Sequence, residues 1–263
     1  MRKALCVGIN DYPGKDDDLR GCVNDARAWA KVLTEHYGFP SGDVQLLLDR
    51  QATKTKILAR LDALLADAKR RDVLVFTISS HGTYVADTDG DEKLYDEAIC
   101  PWDMRDNLIV DDELREKFLA LAPGCHFTVI SDSCFSGTVT RAPDIDTPDH
   151  RRKRFVPPGR LGLPEIRDIS AARPNSDRFP ESSMREVLVS GCNDHQESID
   201  AEFGSVFHGA MTYYALEILR EANYRINYNT LWDKVVVRLQ DEGFDQEPQV
   251  EGKPSARRRL MFS

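Results

Sequence analysis

A chain of 263 residues with 41% apolar side chains is long enough for one large α/β domain or two small ones and can bury a sizeable core. Its formal charge of −9 argues against a nucleic-acid partner, since phosphate neutralisation needs a basic face, whereas a local acidic cleft would attract cationic peptides. No run approaches the roughly 18 apolar residues of a membrane span. The N-terminal apolar run breaks at Asn10-Asp11 with no small-residue cleavage site, so a cytoplasmic protein with neither signal peptide nor membrane contact is expected.

In chain order, short apolar runs alternate with longer amphipathic ones, the pattern of parallel strands joined by crossover helices. Lys3–Ile9 reads as a buried strand. Asn24–Tyr37 has helical periodicity in Ala26, Trp29, Ala30, Leu33 and Tyr37, with Gly38 just past its end. A second strand over 43–48 precedes a helix over 54–68, with Ile57, Leu58, Leu61, Leu64 and Leu65 on one face and Thr53 as N-cap. The third strand, 72–79, delivers His81 at its carboxyl end. A helix over 111–121 leads to a fourth strand, 126–131, which delivers Cys134 at its carboxyl end. Sites in open α/β sheets form beyond the carboxyl ends of the strands, so the two residues converge on one edge.

The character changes between Thr138 and Ser182. Seven of the thirteen prolines lie there, apolar residues are few, and Arg151-Arg152-Lys153-Arg154 forms a basic run. Such a stretch reads as a mobile linker. It divides a larger part, 1–137, from a smaller one, 183–263, within one structural domain. The smaller part opens with a strand over 186–192, continues with helices over 209–221 and 228–243, and ends on Leu260-Met261-Phe262. The fold class expected is α/β, with a mostly parallel central sheet flanked by helices.

Six cysteines stand at 6, 22, 100, 125, 134 and 192, none in a CxxC pair. Five read as buried small hydrophobes and Cys134 as the chemical one. Ile130-Ser131-Asp132-Ser133-Cys134-Phe135-Ser136-Gly137 runs a strand into a small polar turn that would hold an exposed thiol. Ser79-Ser80-His81-Gly82-Thr83 does the same for an imidazole. A thiol attacks a carbonyl only as thiolate, and a nearby imidazole can take its proton and return it to a leaving amine. The backbone N–H groups of Gly82 and Cys134 would face the oxyanion. No cofactor is needed for that chemistry.

Taken together, Ser-x-His-Gly-Thr and Asp-Ser-Cys-Phe-Ser-Gly, each after an apolar strand, resemble the metacaspases and bacterial orthocaspases. In caspases the His likewise lies about 50 residues upstream of the Cys. Further similar segments are ALCVGIN at 4–10, GCVNDA at 21–26, YDEAICP at 95–101, IVDD at 109–112, the 190–198 stretch around Cys192 and Gln196, and Gly209-Ala210-Met211-Thr212. The resemblance implies a caspase–haemoglobinase-like sandwich and a caspase-like cysteine endopeptidase with Cys134 and His81 as its dyad.

It also implies an acidic S1 pocket from Asp132, two before the nucleophile, and Asp25. Two carboxylates there attract an Arg or Lys at P1, the residue whose carbonyl is attacked. Protein or peptide substrates with a basic P1 follow. So does self-processing in the 138–182 linker, with Arg141, Arg151, Arg152, Lys153, Arg154 and Arg160 as candidate sites. The alternative for Asp25 is a carboxylate at a helix N-terminus, and for the basic run a solvated or partner-docking face.

Asp96, Asp111 and Asp112 match three positions that bind calcium in the family, which implies Ca²⁺ as an activator. Thr140-Arg141 departs from the fourth acidic position. DTDGDE at 87–92 reads as a turn and not as an EF-hand loop. Against the peptidase stands an idle caspase-like module that binds a partner or calcium. An α/β-hydrolase would need G-x-S-x-G followed by a later His, and the chain has neither that elbow nor that order.

Overall fold

The computed structural model describes residues 1–86, 95–134, 150–164, 183–192 and 196–263. Its centre is a six-stranded sheet built around uninterrupted apolar runs. These strands are β1 (Arg2–Gly8), β2 (Val44–Leu48), β3 (Val73–Ser79), β7 (His126–Asp132), β9 (Glu186–Ser190) and β12 (Gln249–Glu251), in the spatial order β12-β9-β7-β3-β1-β2. The five consecutive strands from β9 to β2 run parallel, and β12 closes one edge antiparallel to β9.

Alternation along each strand sends neighbouring side chains to opposite faces. Ala4, Cys6, Val73, Val75, Val187 and Val189 pack with α1 (Cys22–His36), α4 (Ala210–Glu221) and α5 (Tyr228–Asp241). Leu5, Val7, Leu74, Phe76, Phe127 and Val129 pack on the other face with α2 (Lys54–Leu65) and α3 (Asp111–Leu119). Parallel strands covered on both faces need apolar residues at every position, which is why these runs are legible in the sequence. Thr53 caps α2 by accepting from the Lys56 N–H.

The helices over 22–36, 54–65, 111–119, 210–221 and 228–241 agree with expectation to within three residues at each end. Smaller elements were not anticipated. β4 (Gly82–Ala86), β5 (Tyr95–Ile99) and β6 (Ile109–Val110) form one three-stranded antiparallel sheet. Another consists of β8 (Arg151–Lys153), β10 (Ile199–Phe203) and β11 (Val206–Gly209). A short α6 (Pro254–Arg257) precedes the C-terminus. These strands are short and lack the continuous apolar run that marks the strands of the central sheet.

Two expectations are corrected. The linker is not structureless throughout: residues 150–164 carry β8 and a 3₁₀ turn at Pro158–Leu161, and β8 gains its order by pairing with β10 from the smaller part. Cys134 is not an exposed thiol. It is fully buried, and His81 is only 5% exposed. Its sulfur lies against the Gln196 carbonyl and its backbone N–H meets the Arg154 carbonyl of the 150–164 segment. Arg141 and the DTDGDE turn lie outside the described residues.

Candidate active site

β3 and β7 are parallel neighbours in register from Val73↔His126 to Ser79↔Asp132, so His81 and Cys134 leave the same sheet edge two residues beyond matched positions. The residues immediately before them are tied together: the Ser80 and Ser133 hydroxyls lie 3.1 Å apart. The His81 backbone N–H donates to the Tyr12 hydroxyl at 3.1 Å, and its carbonyl accepts from Cys100 N–H at 2.9 Å. The Nε2 of His81 lies 2.8 Å from the Asp17 carbonyl oxygen. A carbonyl only accepts, so Nε2 carries the proton and Nδ1 is left as the basic nitrogen. Burial, opposed by the Asp17 carbonyl, lowers the His81 pKa to about 4, so the ring is neutral.

The peptide group of Arg154 sits across this edge. Its carbonyl oxygen accepts from Gly82 N–H at 2.9 Å and from Cys134 N–H at 3.3 Å. Its N–H donates to Ser198 O at 2.9 Å, and the next residue but one, Val156, donates to Gly82 O at 3.0 Å. The Arg154 carbonyl is thus held by the two N–H groups expected to face an oxyanion, with the chain continuing along β4 on the far side.

The Arg154 side chain is fully buried in an acidic pocket. Nη2 lies 2.7 Å from Asp25 Oδ2 and 2.9 Å from Asp200 Oδ1, and Nη1 lies 3.2 Å from Asp132 Oδ1 and 3.0 Å from the Asp132 carbonyl. The pocket floor is the amino end of α4, whose unpaired N–H groups and positive dipole end favour carboxylates. Gly209 N–H donates to Asp25, and Thr212 donates to Asp132 Oδ2 through its N–H (3.2 Å) and its hydroxyl (2.7 Å). Ser198 Oγ donates to Asp132 Oδ1 at 2.5 Å, and His208 Nδ1 lies 2.9 Å from Asp25 Oδ1. Arg20 and Gly21 N–H groups hold Asp200. Burial still pushes the Asp25 carboxyl above its ordinary range, against the pull of Arg154. Asp25 is therefore in the first turn of α1 and in the pocket at once.

Asp200, Ser198 and Thr212 belong to this pocket although the pocket expected from sequence held Asp25 and Asp132 alone. Ser198 and Thr212 lie in segments already similar to the family, whereas Asp200 had no motif around it. Cys192, read as structural, hydrogen-bonds the Cys134 sulfur; that bond and burial push its thiol far up, so it stays protonated. Cys134 Sγ also lies 3.2 Å from the Gln196 carbonyl.

Of the other basic residues in the segment, Arg151, Arg152 and Lys153 extend back from Arg154 along β8, and Arg160 pairs with Asp17 at 2.7 Å. Asp96 is on β5, while Asp111 and Asp112 open α3. Burial lifts Asp111 to about 6 despite Arg115. Among the described residues no group of three or more His, Cys, Asp or Glu is arranged to hold a metal ion. No described helix is long and apolar enough to cross a membrane.

A six-stranded, mostly parallel sheet with helices on both faces and a Cys and a His at neighbouring strand ends defines a caspase-like α/β protein. The backbone superposes on caspase-1 from Spodoptera frugiperda with a TM-score of 0.58, covering 95% of this chain and 88% of that one at 12% identity, a likeness of fold. A crystallised Geobacter sulfurreducens protein matches with a TM-score of 0.75 and 25% identity over 100% of this chain and 98% of its own. The description "Metacaspase, peptidase C14 domain" fits residues 2–143. Metacaspase-1 of Scheffersomyces stipitis is 32% identical over 255 residues, 84% of this chain and 63% of that protein. Metacaspase-4 of Arabidopsis thaliana is 43% identical over 143 residues, 52% of this chain and 34% of that protein. The chain belongs to the metacaspase family, and it spans just under two thirds of the length of the Scheffersomyces relative.

Proposed function

We propose that this chain is a cysteine endopeptidase that cleaves after Arg or Lys and processes itself at the Arg154–Phe155 bond. The observation that carries the reading is the Arg154 residue, with its carbonyl between Gly82 and Cys134 N–H groups and its guanidinium among three carboxylates. The occupied cleft has the contacts of a substrate complex.

In the reaction the Cys134 thiol gives its proton to Nδ1 of His81, whose Nε2–H is retained by the Asp17 carbonyl. The thiolate attacks the Arg154 carbonyl carbon, and the negative charge that forms on oxygen is held by the Gly82 and Cys134 N–H groups. His81 then protonates the Phe155 amine as the C–N bond breaks, and water hydrolyses the thioester. The acidic pocket selects the P1 cation; a planar guanidinium meets several carboxylates at once, while an ammonium meets them as a point charge. The same binding keeps the cleft closed to other substrates until the segment is cut.

The test pairs fluorogenic peptides ending in Arg, Lys or Asp with a denaturing gel and sequencing of the new amino terminus. Wild type should cleave the Arg and Lys peptides and show a fragment that begins at Phe155. Cys134→Ala should do neither. Equal rates for wild type and Cys134→Ala would leave the idle module as the better reading, and cleavage of the Asp peptide alone would overturn the acidic pocket.

A further inference from the structure

The residues before Arg154 are also basic, and each meets a different partner on the enzyme. Lys153 Nζ lies 2.9 Å from Glu197 Oε2. Arg152 Nη1 donates to the Asp18 carbonyl at 2.8 Å. The Arg151 guanidinium carbon is 4.2 Å from the centroid of the Phe244 ring, and its Nη1 donates to the Gly243 carbonyl at 3.2 Å. Phe244 is braced by Tyr214 and Phe203 at ring separations of 6.1 and 6.2 Å, so it forms a fixed aromatic shelf. Antiparallel pairing with β10, Arg151↔Ala201 through Lys153↔Ile199, sets the register that delivers each side chain to its partner.

We infer that the cleft selects a run of four cations, P4 to P1, with Phe244 as the P4 subsite, the Asp18 carbonyl at P3 and Glu197 at P2. This rests on the peptidase reading above and names its substrate class: polybasic segments of other proteins as well as the chain's own. Three chemically different recognitions act in series. A carboxylate at P2 favours either Lys or Arg as a point charge. A lone carbonyl at P3 favours a donor of any shape. An aromatic face backed by a carbonyl at P4 favours the flat, weakly hydrated guanidinium over an ammonium. Downstream, the Phe155 ring stacks on Tyr84 at 6.0 Å and 21°, which adds an aromatic preference just after the scissile bond.

The experiment measures kcat/KM of the processed enzyme on fluorogenic tetrapeptides Arg-Arg-Lys-Arg, Ala-Arg-Lys-Arg, Arg-Arg-Ala-Arg and Ala-Ala-Ala-Arg. Each Ala at P4 or P2 should lower the value about twofold to fivefold, the range of an exposed cation–π contact or ion pair. Two variants assign the subsites. Glu197→Arg should reverse the P2 preference, so that Arg-Arg-Glu-Arg is cleaved faster than Arg-Arg-Lys-Arg. Phe244→Leu, which keeps the site apolar, should bring the P4 Arg and P4 Ala peptides to the same rate. Equal kcat/KM for Arg-Arg-Lys-Arg and Ala-Ala-Ala-Arg would overturn the extended selection and leave cleavage after Arg standing. An unreversed P2 preference in Glu197→Arg would overturn the Glu197 assignment. Failure of wild type to cleave any Arg-terminated peptide would overturn this inference together with the reading beneath it.

Discussion

The backbone N–H of Cys134 donates to the carbonyl oxygen of Arg154 at 3.3 Å, so the residue assigned as nucleophile holds a peptide bond of its own chain. The Arg154 guanidinium is fixed at the same time by Asp25, Asp132 and Asp200. The carbonyl and the guanidinium of one residue are thus held at once, by the sheet edge and by the acidic pocket.

Replacing Arg154 should separate charge from shape in self-processing. Arg154→Lys should still be cut at the same bond but about tenfold more slowly, because one ammonium cannot engage three carboxylates in a fixed fork. Arg154→Gln should stay intact. Band intensities over time on a denaturing gel check this, and cleavage of Arg154→Gln at its usual rate would show that another bond is the site.

Asp200 should matter to specificity as much as Asp25 and Asp132. Asp200→Asn keeps the shape and removes the charge. It should weaken kcat/KM for Arg peptides by about 1.5–3 kcal/mol, the range for hydrogen bonds to charged groups. A loss below about 0.5 kcal/mol would mean that Asp200 serves only to hold the Arg20 and Gly21 N–H groups.

Gly209 should be intolerant of any side chain. A methyl group there would overlap Asp132 Oδ2 and lie 2.5 Å from Arg154 Nη1. Gly209→Ala should abolish cleavage after Arg and, by overpacking a buried site, lower stability by about 1–3 kcal/mol while circular dichroism still shows a folded protein. Retained activity would mean that the amino end of α4 can move away from the pocket.

The pH dependence of stability should carry the mark of His81. Its pKa is about 4 in the intact fold against an ordinary 6.5, lowered by burial. Between those values the unfolded chain binds a proton that the folded one does not, so stability rises with pH across this window and falls as pH drops from 6.5 to 4. The difference is at most on the order of 3 kcal/mol. In a Cys134→Ala background, which keeps the segment docked, His81→Gln should flatten that part of the profile in denaturant titrations. The comparison isolates His81, since Asp25 and Asp111, both raised, act in the opposite direction. An unchanged slope would show that the ring is solvated in the intact chain.

The sequence by itself determined the layered α/β architecture and the edge where the site lies. Strands buried on both faces must be apolar at every position, and helices that cover a sheet must repeat their apolar residues every three or four, so β1, β3, β7, α1 and α2 announce themselves. The Gly-flanked His81 and Cys134 directly after such strands marked the edge in the same way. Tertiary structure alone decided the rest. Six basic residues of the linker look equivalent in the sequence, and among the described ones the register of β8 on β10 brings Arg154 to the carboxylates. Asp200, 175 residues beyond Asp25 in the chain, joins the pocket because β10 packs against the start of α1. The burial of Cys134 could not be read from its local motif, since its sulfur meets Gln196 and Cys192 and its N–H meets Arg154, all distant in the chain. Local periodicity records what an element needs from water; it does not record which distant element will meet it.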